Sequence, residues 1–148
     1  MRVYIAHPAF NEDQREFNKH FINSLGKKLC KLKGPQQVKI IDPFDYSPII
    51  EENDEEKMAL SKEVKRVCLN LLNSCKLLLA VVDGDDTGTA FEAGYAHKMD
   101  LPIILVSKGS CRSANSMLLG SAYAMFDNIL DEQQISKLAY LIGTISGM

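Results

Sequence analysis

Apolar positions along this chain follow two rhythms, a helical one that returns every three or four residues and short unbroken runs. Arg2–Ala6 is short, β-branched and aromatic, and predicts a first strand. From Asn11 the pattern turns helical, with Asn11 and Gln14 spaced as a capping box. Phe17, Phe21, Leu25, Leu29 and Leu32 form one stripe on that helix, which predicts a core face. Gly34-Pro35 ends it. Val38 to Ile41 predicts a second strand, stopped by Asp42-Pro43. A long connection follows, with Pro48 and an acidic run from Glu51 to Glu56 that reads as surface loop, helix start or lid. Helical spacing returns over residues 57–75 through Leu60, Val64, Val67 and Leu71.

Leu77 to Val82, LLLAVV, is apolar on both faces and predicts the central strand of a parallel sheet covered on both sides. A helix over Gly88 to Lys98, a fourth strand over Pro102 to Val106 and a helix from Asn115 to about Tyr123 come next. The last helix carries Ile135, Leu138, Ile142 and Ile145 on one face. Strands alternating with helices predict an α/β fold, a doubly wound parallel sheet in one domain over residues 1–148. Ligands of such sheets sit beyond the carboxyl ends of the strands. Those positions are His7-Pro8, Asp42, Asp83 to Gly88 and Ser107.

Composition narrows the partners. With 46% hydrophobic and 24% charged residues the chain reads as a soluble globular protein. A formal net charge of −2 and scattered basic residues argue against nucleic acid. Lys27, Lys28, Lys31 and Lys33 cluster only where cations suit a helix end. Cys30, Cys68, Cys75 and Cys111 show no metal-ligand spacing and predict reduced thiols, with Cys68 and Cys75 as small core residues. No stretch reaches the roughly 18 apolar residues of a membrane span. No signal peptide is read at the start, so a cytoplasmic protein is expected.

The densest chemistry lies in DGDDTGTAFEAGYA, Asp83 to Ala96. Gly88 permits a tight turn into a helix, and Gly94 permits close approach of that helix to its neighbours. Glu92 is expected within about one turn of the helix start, where unpaired N–H groups favour an ionised carboxylate. An ionised, partly buried Glu beside a second carboxylate suits cleavage of a glycosidic bond. The same residues fit simpler roles. Acidic groups after a strand cap helices, and Asp83, Asp85 and Asp86 fit a Mg²⁺ site.

Three segments, VYIAHPAFNEDQREF (Val3 to Phe17), DDTGTAFEAGYA (Asp85 to Ala96) and ANSMLLGSA (Ala114 to Ala122), resemble the nucleoside 2-deoxyribosyltransferases in order and spacing. The resemblance implies a flavodoxin-like fold, no cofactor or metal, and exchange of a free purine or pyrimidine base on a 2′-deoxynucleoside. It makes Glu92 the nucleophile that forms a covalent deoxyribosyl ester, with retention at C1′. It makes Tyr4 the residue that orients Glu92, and Asp86 a substrate contact with a share in proton transfer. Phe10 lines the base site. Asn115, with Met117 beside it, reaches a neighbouring subunit's site to bind the 5′-hydroxyl, so the active site is shared within a homo-oligomer. Plainer roles compete: Tyr4 as core packing, Phe10 as a hydrophobic staple, Asn115 as a helix N-cap. His7, His20 and His97 carry no partner pattern, though His7 is placed to line the pocket.

One departure stands out. The family carries a further Asp in the helix before the central strand, and the matching position falls at or near Cys68. Neither Cys68 nor Asn70 is a carboxylic acid, which leaves another acid such as Glu63 or a different mode of base recognition. A related group of 2′-deoxynucleoside 5′-monophosphate N-glycosidases shares the fold and the Glu, and Lys108, Arg112, Ser113 and Ser116 would be its phosphate site. Acidic Glu12 and Asp13 speak against it. A non-catalytic nucleotide sensor is the third reading.

Overall fold

A computed structural model describes residues 1–34, 37–47 and 55–147. Strand β1 (Arg2–Ala6) leads into α1 (Glu12–Lys33), and β2 (Lys39–Ile41) into a 3₁₀ turn at Pro43–Asp45. Then come α2 (Lys57–Asn73), β3 (Leu77–Val81), α3 (Thr87–Lys98), β4 (Ile103–Val106), a 3₁₀ turn at Cys111–Ser113, α4 (Ser116–Ser121), β5 (Ala124–Phe126) and α5 (Glu132–Ser146). Pro35, Pro48 and the acidic run through Asp54, with its reading as a lid, lie outside the described residues.

All five strands are parallel, in the order β2-β1-β3-β4-β5. This is the doubly wound α/β arrangement that the alternation predicts, and it is flavodoxin-like as the resemblance implies. The strand order reverses beside β1, so a crevice opens at the carboxyl ends of β1 and β3. Every residue of β3 is buried, as expected of a strand covered on both faces.

Alternation along the strands divides the core in two. Val3, Ile5, Leu79 and Val81 pack with Phe21 and Leu25 of α1 and Leu138 and Ile142 of α5. Tyr4, Ala6, Leu78 and Ala80 face the other way, with Leu72 of α2 and Ala93 and Ala96 of α3. The expected stripes hold in α1 and α5, with one exception. Leu32 is exposed, because no described element covers that side of the last turn. In α2 the expected stripe is only half-buried, and Leu72 alone of that helix is fully covered.

Local chemistry explains the helix starts. Asn11 accepts from the backbone of Gln14 at 2.8 Å, completing the capping box. Asp131 caps α5 through Gln133 N at 2.9 Å. Strand β5 was not expected from the sequence. Its three residues lack β-branching, and Met125 is exposed at the sheet edge, so neither propensity nor alternation marks it. Among the described residues no helix is long and apolar enough to cross a membrane. All four cysteines are free; Cys75 and Cys111 are buried, Cys68 half-buried and Cys30 exposed.

Leu79 touches the centre of the larger core and is fully buried. Leu79→Ala should cost about 2–5 kcal/mol in urea unfolding, and a loss below about 1 kcal/mol would mean that β3 is not the packed centre.

Candidate active site

Because Tyr4 points to the α2–α3 side of β1, its ring is wholly buried and its hydroxyl meets α3. That hydroxyl donates to Oε2 of Glu92. Burial pushes the Tyr4 phenol far above its ordinary range, and the nearby Glu92 charge raises it further. Tyr4 therefore keeps its proton and acts only as a donor.

Glu92 is half-buried. Burial raises its carboxyl to about 7, against the opposing pull of the Tyr4 hydrogen bond. Asp86 and Asp42 raise it further, while His7 lowers it. The expected stabilisation of the ionised form by the helix end is not met, since the shift is upward. Glu92 is the sixth residue of α3, in the second turn, and the free N–H groups at the helix start are already taken.

Asp86 takes them. Its Oδ1 accepts from Gly88 N at 3.2 Å, and its Oδ2 from Thr89 N at 3.0 Å and Thr89 Oγ1 at 2.6 Å. This is an N-cap with both oxygens engaged, set close enough to Glu92 to raise its pKa. Asp83 is likewise committed. It accepts from Ser107 Oγ at 2.7 Å and from Lys108 N at 3.0 Å, which ties the end of β3 to the end of β4. The alternative of a Mg²⁺ site fails on this geometry. Among the described residues no three His, Cys, Asp or Glu side chains are gathered to hold a metal.

Two glycine expectations need correction. The tight turn is made by Gly84 (φ 85°) and Asp85 (φ 47°), not by Gly88, which serves as a donor to the cap. Gly94 has open space where a Cβ would stand, so nothing within the chain approaches it closely.

His7, to which no partner pattern was assigned, is the centre of a network. It is only 5% exposed and follows β1, next to Asp42, which follows β2. His7 Nε2 lies 2.9 Å from Asp42 Oδ1. On the other side of the ring, Asn18 Nδ2 lies 2.5 Å from His7 Nδ1 and 2.8 Å from the carbonyl of Pro8. A carbonyl demands a donor there, so we assign the amide nitrogen to that position. Nδ1 then accepts, and the ring proton sits on Nε2 and is donated to Asp42. Sequence reasoning missed this pair, although both residues stood among the strand-end positions. The signal was the adjacency of β1 and β2, which no spacing along the chain reveals.

His7 and Asp42 line a cleft of about 1210 Å³ with Phe10, Phe44, Arg15 and Lys19. The Phe44 ring is tilted against His7 at 4.9 Å. Phe10 is 78% exposed in this cleft and makes no staple, since the fourth helical residue is Arg15. Glu92 is not in the described lining. The His7–Asp42 pair borders the cleft, and the Asp42 charge raises the Glu92 pKa.

The other sequence candidates are not drawn to Glu92 within one chain. Asn115 caps α4, accepting from Met117 N at 2.8 Å, and both side chains are exposed. Cys68 lies beside the Tyr4 hydroxyl, its thiol pushed up mainly by burial. Glu63, the suggested replacement acid, is an exposed residue paired with Arg66, and Asn70 is exposed too. Neither stands at the site.

Among solved structures, the fold is similar to a 2-deoxyribosyltransferase from Bacillus psychrosaccharolyticus, with a TM-score of 0.63 and 24% identity over 91% of this chain and 96% of that one. It is also similar to a CMP N-glycosidase from Clostridium botulinum, with a TM-score of 0.59 and 19% identity over 96% and 99% of the two chains. A conserved protein from Enterococcus faecalis V583 gives 0.53 and 17% over 93% and 87%. No functionally curated protein matches the chain. The model of one family, nucleoside 2-deoxyribosyltransferase, matches residues 3–130. That match spans β1 through β5 and takes in Tyr4, Asp86 and Glu92, so the chain belongs to the nucleoside 2-deoxyribosyltransferase family.

Proposed function

We propose that this protein exchanges the base of 2′-deoxynucleosides through a covalent deoxyribosyl ester on Glu92. The observation that carries the reading is the hydrogen bond from the buried Tyr4 hydroxyl to a half-buried carboxylate at the carboxyl edge of the sheet. A carboxylate withdrawn from water is a stronger nucleophile, and one fixed donor sets its direction. Its other oxygen, Oε1, is then the one to attack C1′. A second base attacks the ester, giving net retention. Phe10 lies where an exposed ring would stack on the base, and Asn115 with Met117 serves a neighbouring subunit. A 5′-monophosphate hydrolase is less well supported. The Lys108 ammonium lies 5.3 Å over the Phe17 ring, and Ser113 Oγ is bonded to Ser110 O at 3.2 Å.

The test is chromatography of the protein with deoxyinosine, with and without adenine, and with deoxyinosine monophosphate in parallel. Deoxyadenosine formed only when adenine is present is the expected result. Base released only from the monophosphate would make the hydrolase reading correct, and binding without release would favour a sensor.

Glu92→Gln should lower exchange by more than about 1000-fold, and a loss under tenfold would place the nucleophile elsewhere. The same variant has a stability signature. A native carboxyl raised to about 7 binds its proton more tightly than the unfolded chain does. Ionising Glu92 thus costs stability as pH rises from the unfolded value through about 7. Gln avoids that cost and still accepts from Tyr4. The melting temperature of Glu92→Gln should exceed wild type at pH 8 by more than at pH 5, and an equal difference at both would contradict the shift.

Attack requires the ionised form. With the folded pKa raised to about 7, kcat/KM should fall about tenfold per unit on the acid side of that value. Tyr4→Phe removes the interaction that lowers the Glu92 pKa, so the acid limb should move upward in the pH–rate profile. A limb that stays in place or moves down would exclude Tyr4 as the group that sets Glu92.

If Asn115 serves a neighbouring copy, Asn115→Ala and Glu92→Ala proteins, each deficient alone, should regain partial activity when mixed. Verified mixed oligomers without recovery would rule out a shared site.

A further inference from the structure

Exchange of a nucleoside base needs two proton movements besides the attack on C1′. A proton must reach the departing base, and one must leave the incoming base. Glu92 cannot serve both purposes while it is the nucleophile. The described residues hold a small set of other acids near it. Asp86 and Asp42 are the carboxylates whose charge Glu92 feels. They differ in what they have left to give.

Asp86 has both oxygens filled by Gly88 N, Thr89 N and Thr89 Oγ1. Protonating it would break the cap of α3, the helix that carries Glu92. Asp42 is arranged differently. Its Oδ1 alone receives both His7 Nε2–H, at 2.9 Å, and Phe44 N–H, at 3.0 Å. Its Oδ2 takes no hydrogen bond among the described residues. The side chain is 19% exposed, against 3% for that of His7, and it borders the cleft that holds Phe10 and Phe44. Asn18 locks the His7 ring from behind. The result is a carboxyl group fixed through one oxygen and, among the described residues, open through the other, in a cleft that Phe10 and Phe44 also line.

Resting on the exchange reading, we infer that Asp42 is a further catalytic residue, the acid and base toward the nucleobase, and that His7 and Asn18 are its positioning residues. In the first half-reaction the C1′–N bond breaks, its electron pair goes to the base, and the base takes the proton from Asp42 Oδ2. At the same time the C1′–O bond to Glu92 forms. In the second half, a ring nitrogen of the incoming base bonds to C1′, the ester bond breaks, and the N–H proton returns to Asp42 Oδ2. Protons and electrons balance over the cycle, and no other reactant is needed. Over the cycle Asp42 gives up and regains one proton while Glu92 alternates between carboxylate and ester.

The proposal predicts a dependence on the leaving group, which a structural role would not produce. The probes are deoxyinosine, whose base departs with a proton, and 7-methyl-2′-deoxyguanosine, whose cationic base departs as a neutral molecule without one. Release of the first base is measured in a single turnover, with protein in excess. Asp42→Asn keeps an oxygen for His7 and Phe44. It should lower release from deoxyinosine by about 100-fold and from the methylated nucleoside by less than about threefold. If that variant does not fold, as judged by circular dichroism, Asp42→Ser is read by the same ratio. His7→Gln should move the ratio the same way by a smaller amount. Equal losses on both nucleosides, or none, in an active protein would overturn the assignment to Asp42 alone. Wild-type protein inactive on both would overturn the exchange reading itself.

Discussion

The Tyr4–Glu92 hydrogen bond imposes a condition on everything around it. A carboxylate moved out of water needs a donor, and a buried phenol needs an acceptor. Each satisfies the other, since the Tyr4 ring is wholly buried and its pKa is driven upward by burial. The bond forms because Tyr4 is set by sheet register, opposite Ile41 on one side and Leu78 on the other. Glu92 is set by the start of α3, which Asp86 fixes. A strand side chain and a helix side chain, 88 positions apart in the chain, are brought together by two locally determined elements.

The carboxylates near this bond divide into those with both oxygens engaged and those that keep one oxygen without a donor among the described residues. Asp83 spends both oxygens joining β3 to β4, and Asp86 spends both on α3. They shape the strand-end loops, and the Asp86 charge works with burial to keep the Glu92 pKa high. Glu92 and Asp42 each keep an oxygen without a donor among the described residues. Ionising both at once is opposed by mutual repulsion, as the upward effect of Asp42 on Glu92 indicates.

Much of this was legible in the sequence, for physical reasons. Helices and strands with strong periodicity, such as α1 and β3, were readable because burial on one face or both leaves a pattern in one stretch of chain. The rule that ligands gather past strand ends singled out His7, Asp42 and Asp83. What could not be read was pairing. Whether His7 meets Asp42 depends on β1 lying beside β2, and the tautomer depends on Asn18 from a helix between them. Glu92 was found, but its state was attributed to the helix end. The structure reverses that reading, because the helix start is already capped by Asp86 and burial raises the Glu92 carboxyl against the pull of Tyr4. Gly88 was credited with a turn that Gly84 and Asp85 make, since a glycine signals permission and not use.

Exchange and hydrolysis share the first step, so the geometry of attack does not separate them. On the exchange reading, a deoxyribosyl ester on Glu92 would react with whichever nucleophile reaches C1′, and water is always the more abundant. Transfer therefore demands that the space above the ester be closed to water while a second base is held in it. Within one chain the apolar groups on this side of the molecule are open, with Phe10 at 78% and Met117 at 79% exposure. A stacked base can cover Phe10. Met117 lies on a short helix whose cap, Asn115, is itself exposed. If neighbouring copies share the site, they supply that covering; a protein that exchanged bases as a lone chain would have to exclude water by the base alone, and one that failed to do so would be a hydrolase with the same Tyr4, Asp42 and Glu92.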